Sequence, residues 1–325
     1  MASISKNHYL LLSTVIFFIV SSYLLKVTLM LIEKDNFEGE QPINYNVLET
    51  ENNNFNSSES TREFDSDYIS ISDEMVEIFN EHDFTIENFI NGLTKKLVIF
   101  SALPDDFMKL EPIEFRKNIF IKTILPIVYV ENKNILTQRK RILEWWTETE
   151  GEFVSREYWP DWLIGLSNAY DYKEENVGDL LMRVDIIPIS MALSQAVVES
   201  GWGTSRYSRE ANAMFGQYTF DKSSGILPEN RDPDKKHLIK KFNSISESVR
   251  SYIKNINTHL AYEELRTKRR EMRMDGEKIN GMGLIPYLTK YSERGKSYTA
   301  DLTSLLEEND FGKLDILTSS VSFVE

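Results

Sequence analysis

The sequence predicts a mainly α fold set behind an apolar N-terminal span. Three features predict it. Residues 9–32 are apolar apart from Lys26; residues 33–74 are polar and rich in Asn, Ser and Glu; and from Met75 onward apolar residues recur at helical spacing.

The apolar span makes roughly 36 Å of helix at about 1.5 Å per residue, enough to cross a bilayer core of about 30 Å. Lys26 lies near its end and can snorkel. No A-x-A-like cleavage site follows the run, so an uncleaved anchor is expected. Lys6 precedes the span and acidic residues follow it. That places residues 1–8 in the cytoplasm and the rest of the chain outside, a single-pass inner-membrane topology.

Residues 33–74 hold 12 acidic and two basic side chains, so they carry −10 of the chain's −14. Such a segment buries little apolar surface and is expected to be a flexible tether. What remains is nearly neutral, which argues against a nucleic-acid partner. The absence of cysteine excludes disulfides, thiolate chemistry and a Cys-ligated zinc. His8, His82, His237 and His259 are scattered, so no metal site is expected.

Residues 75–165 read as helical. Met75, Ile78 and Phe79 begin the pattern. Phe115, Ile119, Phe120, Ile124 and Leu125 continue it up to Pro126. Ile135, Ile142, Leu143 and Trp146 mark a further amphipathic helix. Trp159-Pro160-Asp161-Trp162 is turn-like, its aromatics suited to packing. No internal repeat, Gly-rich phosphate loop or G-x-S-x-G elbow is present.

Residues 183–220 carry the chemistry. Pro188 suits a helix start. Ile189, Ala192, Leu193, Ala196 and Val197 form an apolar face, and Gly201 supplies the stop. Glu199 therefore projects from the last turn of an apolar helix. The negative helix end and the apolar surroundings both favour its protonated form, as a general acid needs. Gly201-Trp202-Gly203 is a tight turn. Thr204 or Ser205 can cap the next helix, expected over residues 206–215 and ending at Gly216.

The string Gln195-Ala196-x-x-Glu199-Ser200-Gly201-Trp202-Gly203-Thr204-Ser205, with Ala211-Asn212-x-x-Phe215-Gly216, resembles the glucosaminidase family of peptidoglycan hydrolases, glycoside hydrolase family 73. Arg183-Val184-Asp185-x-x-Pro188 before it is similar to the Bax-type branch. So are Phe242-x-Ser244-x-x-Glu247, Asn255-x-Asn257-x-His259 and Tyr291-Ser292-x-Arg294-Gly295-x-x-Tyr298 after it. The resemblance covers roughly residues 103–311.

It implies an α+β, lysozyme-like domain over residues 166–315, with a small β-hairpin lobe above a substrate groove. It implies cleavage after N-acetylglucosamine in wall glycan strands, with no cofactor. Glu199 takes the role of proton donor. Tyr291, with Tyr298 as its neighbouring candidate, helps at the reacting sugar. Trp202, Asn212, Phe215, Gln217 and Tyr298 are the implied sugar contacts. A second carboxylate would lie in the turn-rich stretch 223–242, Glu229 first and Asp232 second; its distance from Glu199 would separate retention from inversion. Acetamido-assisted hydrolysis would need neither. Residues 245–265 read as a helix under the groove, Lys268-Arg269-Arg270 as a solvated face, and 316–325 as a tail. A lytic transglycosylase or muramidase on the same fold, and an inactive wall-binding module, are the alternatives.

Overall fold

The computed structural model describes residues 43–49, 68–69, 71–94, 96–149, 153–228 and 236–319. The expected membrane span 9–32 and the residues Glu229 and Asp232 lie outside them. Among the described residues, no helix is long and apolar enough to cross a membrane.

Two short antiparallel sheets flank a helical body. The first has the order β2–β1–β3, with β1 at Ile43–Glu49, β2 at Tyr68–Ile69 and β3 at Lys96–Phe100. β1 and β2 fall within the segment expected to be a tether. The residues explain β1: Ile43, Tyr45 and Val47 alternate with Asn44 and Asn46, which is strand spacing. Its register pairs Tyr45 with Phe100 and Val47 with Val98.

Helices α1 (Ser72–Glu81) and α2 (Ile86–Ile90) lead to α3, Ile113–Glu148. α3 is one helix of 36 residues, where the sequence suggested two separated by Pro126. Proline removes one helical hydrogen bond. Here Ile124, Leu125, Ile127 and Val128 around it are all at most 1% exposed, so packing holds the helix through the proline.

α4 (Asp161–Ala169) and α5 (Val177–Arg183) pass the chain to the central helix α6, Ile189–Ser200. α6 has no solvated face over most of its length: Ile189 to Val197 are all buried, including Ser190, Ser194 and Gln195. α7 (Arg206–Ala211) follows, then the second sheet, ordered β4–β6–β5, with strands Tyr218–Thr219, Gly225–Ile226 and Leu238–Lys240. This is the small lobe the sequence suggested. α8 (Ile245–Thr258), α9 (Glu263–Met274), α10 (Gly281–Leu284), α11 (Lys296–Glu308) and α12 (Ile316–Ser319) complete the body. One apolar core runs from Met75 to Leu317, with α3 and α11 packed against α6, α3 also against α8, and Tyr252 of α8 reaching α6 through Gln195.

Both ends of α6 are held from far along the chain. At its start, Asp315 accepts from the Ser190 backbone at 2.9 Å, the Ser190 hydroxyl at 2.5 Å and the Gly281 backbone at 2.9 Å. That carboxylate satisfies amide groups a helix start leaves open. Just upstream, buried Asp185 sits among Arg139, Arg269 and Arg273. Arg269, expected on a solvated face, is 1% exposed. It donates to the carbonyls of Ile186 at 2.6 Å and Met182 at 2.8 Å.

Candidate active site

The elbow after α6 is built from three successive left-handed residues. Gly201, Trp202 and Gly203 have φ of 59°, 60° and 75°. Ser200 locks the turn: its hydroxyl donates to the Ala196 carbonyl at 2.6 Å and accepts from the Gly203 amide at 2.9 Å. Gly203 also needs its missing side chain, because a Cβ there would lie 2.6 Å from Leu103 and 2.9 Å from Phe120. Ser205 caps α7 by accepting from the Ser208 amide at 3.1 Å. α7 ends at Ala211, earlier than the sequence suggested, since Asn212 is left-handed with φ of 51°. The Asn212 side-chain amide then donates to the Phe242 carbonyl at 3.2 Å, tying the elbow to the end of the lobe.

This backbone leaves Glu199 in a nest of tyrosines. Gly216, left-handed at φ 61°, sits against the carboxyl; a Cβ on it would lie 2.6 Å from Oε2. Tyr298 of α11 neighbours the carboxyl, and its hydroxyl oxygen accepts from Gln195 Nε2 at 3.0 Å. Tyr252 of α8, Tyr262 and Tyr291 complete the surroundings, each feeling the Glu199 charge. Tyr291 and Tyr298 stack at 5.6 Å with ring planes 4° apart. Tyr252 stacks on Phe215 at 4.0 Å.

Glu199 forms no ion pair among the described residues. Burial raises its pKa, opposed by the neighbouring Tyr298 hydroxyl and by the Arg294 cation. Burial holds the tyrosines up as well: Tyr262 is pushed to about 12, and Tyr252, Tyr291 and Tyr298 also lie well above their ordinary value. Glu199 is thus the member of the nest that titrates nearest neutrality. A carboxyl whose protonated form is favoured by a poorly solvated site is suited to deliver a proton, as general acids do.

The sequence candidates fall into distinct places. Tyr298, 1% exposed, lies beside Glu199 and accepts a hydrogen bond from Gln195. Tyr291 donates its hydroxyl to the Phe215 carbonyl at 2.8 Å, which steadies the backbone leading into Gly216. Phe215 is buried in the stack beneath. The Trp202 ring turns toward the body, against Phe120 at 6.0 Å and Phe311 at 6.3 Å. Gln217 is half-buried at the start of the lobe, and its side-chain oxygen finds no partner among the described residues. Glu229 lies outside the described residues.

Gln195 and Arg294 stand in the motif strings but were given no site role there, and neither Tyr252 nor Tyr262 was given one; all four belong to the surroundings of Glu199 or Tyr298. Gln195 had a usable signal, since it precedes Glu199 by four positions and so shares its helix face. Tyr252 sits in an apolar stripe with Val249, Ile253 and Ile256, which reads as core.

Residues 175–311 match the family model described as mannosyl-glycoprotein endo-beta-N-acetylglucosaminidase. Protein bax of Escherichia coli (strain K12) is 31% identical over 222 residues, covering 64% of this chain and 75% of that protein. The chain belongs to the glucosaminidase family, in its Bax-type branch. It therefore carries a glycoside hydrolase domain, and the whole tyrosine nest falls inside the matched span. Among solved structures, the catalytic domain of the autolysin Auto from Listeria monocytogenes is similar at 15% identity and a TM-score of 0.31, over 52% of this chain and 94% of that one.

Proposed function

We propose that this glucosaminidase-family protein is a peptidoglycan hydrolase: an endo-β-N-acetylglucosaminidase cutting the bond after N-acetylglucosamine in the glycan strand. In this reading residues 9–32 anchor it in a bacterial inner membrane, and the lysozyme-like domain works on the outer side.

The observation that carries the reading is the state of Glu199. Its carboxyl is desolvated, raised in pKa and free of any ion pair among the described residues. Glu199 gives its proton to the glycosidic oxygen as the C1–O bond breaks. The leaving sugar departs as an alcohol, and positive charge builds on the ring left behind. A water molecule, or the acetamido oxygen of that sugar, then attacks C1. Glu229, with Asp232 second, is the assigned base where water attacks. Tyr298 steadies the carboxylate left after proton transfer. Tyr291 serves by bracing Phe215 and Gly216 beside the acid. Gln217, whose oxygen lacks a protein partner among the described residues, is the assigned acceptor for a sugar hydroxyl.

A zymogram on purified sacculi, wild type beside Glu199→Gln, tests the proposal. Lysis by wild type alone is expected, with new reducing N-acetylglucosamine ends. Lysis by both proteins removes Glu199 from the mechanism. Lysis by neither leaves a wall-binding module. A 1,6-anhydro muramic end among the products would mark a lytic transglycosylase instead.

A further inference from the structure

A cleft of about 830 Å³ opens between α3, α5 and α9, at the end of α6 opposite Glu199. Asp185, four residues ahead of α6, lies in its lining. No lining side chain belongs to the surroundings of Glu199. The volume suits a bound molecule of several dozen atoms, and the chemistry assigned to Glu199 makes no use of it.

The lining joins cations to apolar faces. Asp185 fixes two guanidiniums there. Arg273 donates to its carboxylate through Nε at 2.7 Å and Nη2 at 2.5 Å, and Arg139 stands 3.6 Å away. Arg266 is 4% exposed and forms no ion pair among the described residues. Its Nη1 donates to the carbonyls of Ile256 at 3.0 Å and His259 at 2.9 Å. Burial pulls its pKa down to about 10, so it is still a cation at neutral pH. Arg270 reaches in half-exposed, 4.0 Å from Asp179. Leu143 and Trp146 of α3, Met182 of α5 and Met274 of α9 supply apolar surface, and Met274 is 72% exposed. Methionine side chains adapt to varied ligand shapes.

These features narrow the occupant. Guanidinium groups match carboxylate or phosphate. A bare inorganic anion would leave the apolar faces uncovered. An anionic bilayer would meet two exposed acids at the same cleft, Glu148 and Glu144, the latter 3.6 Å from Lys140. A short peptide answers all three features. Its carboxylate meets the arginines, its side chains cover Leu143, Trp146 and the methionines, and its ammonium group meets the glutamates.

We propose that this cleft is a second binding site, for a short peptide with a free carboxylate and an amine, and that the peptide is the one attached to the wall glycan. The source of the peptide rests on the reading of the chain as a peptidoglycan hydrolase; the site does not. The 12 residues of α6 separate the cleft from the acid, roughly 18 Å at 1.5 Å per residue. A peptide held at one end of the helix keeps its strand on the enzyme while Glu199 works at the other.

The experiment is a methyl NMR titration of the full chain in detergent, labelled at methionine methyls, with Met182 and Met274 assigned by replacing each with leucine. The probe is the peptide fraction freed from sacculi by an amidase that cuts peptide from glycan. Both methyls should shift saturably, and Glu199→Gln should bind as wild type does. Amidating the peptide carboxyls should weaken binding about tenfold, as loss of a charge-assisted hydrogen bond does. Arg270→Glu should weaken it at least as much, with circular dichroism checking the fold. Met274→Asp gives the same reading if Arg270→Glu does not fold. No shift with the free peptides, equal shifts with the amidated ones, or shifts with phosphatidylglycerol vesicles alone would each overturn the proposal. Peptide binding by a wild type that lyses no sacculi refutes the hydrolase reading and leaves the cleft standing. Lysis without peptide binding does the reverse.

Discussion

Two carboxylates bracket α6, and their surroundings are opposite. Asp185, ahead of the helix, is 2% exposed and touches Arg139 at 3.6 Å, Arg269 at 3.7 Å and Arg273 at 2.5 Å. Against the cost of its burial, those cations hold its pKa well below the usual carboxylate range. Glu199, at the other end, has tyrosines for neighbours and a pKa raised by burial. Burial acts on both acids in the same direction. Compensation by charge decides which one is held ionised and which has its protonated form favoured.

The sharpest way to break this contrast is at the acid itself. Glu199→Gln should lower the rate of sacculus lysis by about 10²–10⁴-fold, as loss of a general acid does, with the circular dichroism spectrum unchanged. Asp185→Ala should act on stability instead. It strands three arginines, and breaking a buried ion cluster costs about 3–5 kcal/mol, read as a lower urea midpoint. If Asp185→Ala leaves the midpoint alone, the two ends of α6 do not differ as described.

Gly216→Ala comes next. The residue is left-handed, and its new methyl would press on Glu199 Oε2. Strain of about 1–3 kcal/mol is expected, and activity should fall by more than stability does, since the clash lands on the acid.

The smallest effects are in pH dependence, and they run in opposite senses. Asp185 has a lowered pKa in the fold, so its contribution is present above the ordinary carboxylate value near 3.8 and is lost as pH falls toward the folded value. Glu199 has a raised pKa, so its contribution is full below the ordinary 4.5 and declines as pH climbs through the folded value. Glu199→Gln should therefore stabilise the protein at neutral pH relative to wild type, with the gain shrinking as pH falls toward about 4.5. Thermal melts across pH 3–8 check the sign.

Much of α6 and its elbow was legible, because proline at the start and glycine at the end are local signals. The lobe was implied by the family resemblance, and its turn-rich stretch suits it. Arg269 was not. Lys268-Arg269-Arg270 looks like a charged surface run, and only Asp185, 84 positions upstream, gives Arg269 a reason to be buried. The early end of α7 was missed because Asn212 stops it through a left-handed backbone, and its partner Phe242 is 30 positions away. The nest itself draws tyrosines from α8, α11 and the turns between. No window of sequence places Tyr252 beside Glu199; their meeting depends on how α8 packs on α6.

The clasp made by Asp315 has a bearing on timing. A ribosome releases Glu199 well before it releases the carboxylate that secures the start of the same helix, 125 residues after Ser190. Until that late residue arrives, the Ser190 and Gly281 amides lack their partner, and the platform beneath the acid is unfinished. The helix that carries Glu199 is thus completed only once Asp315 has been made.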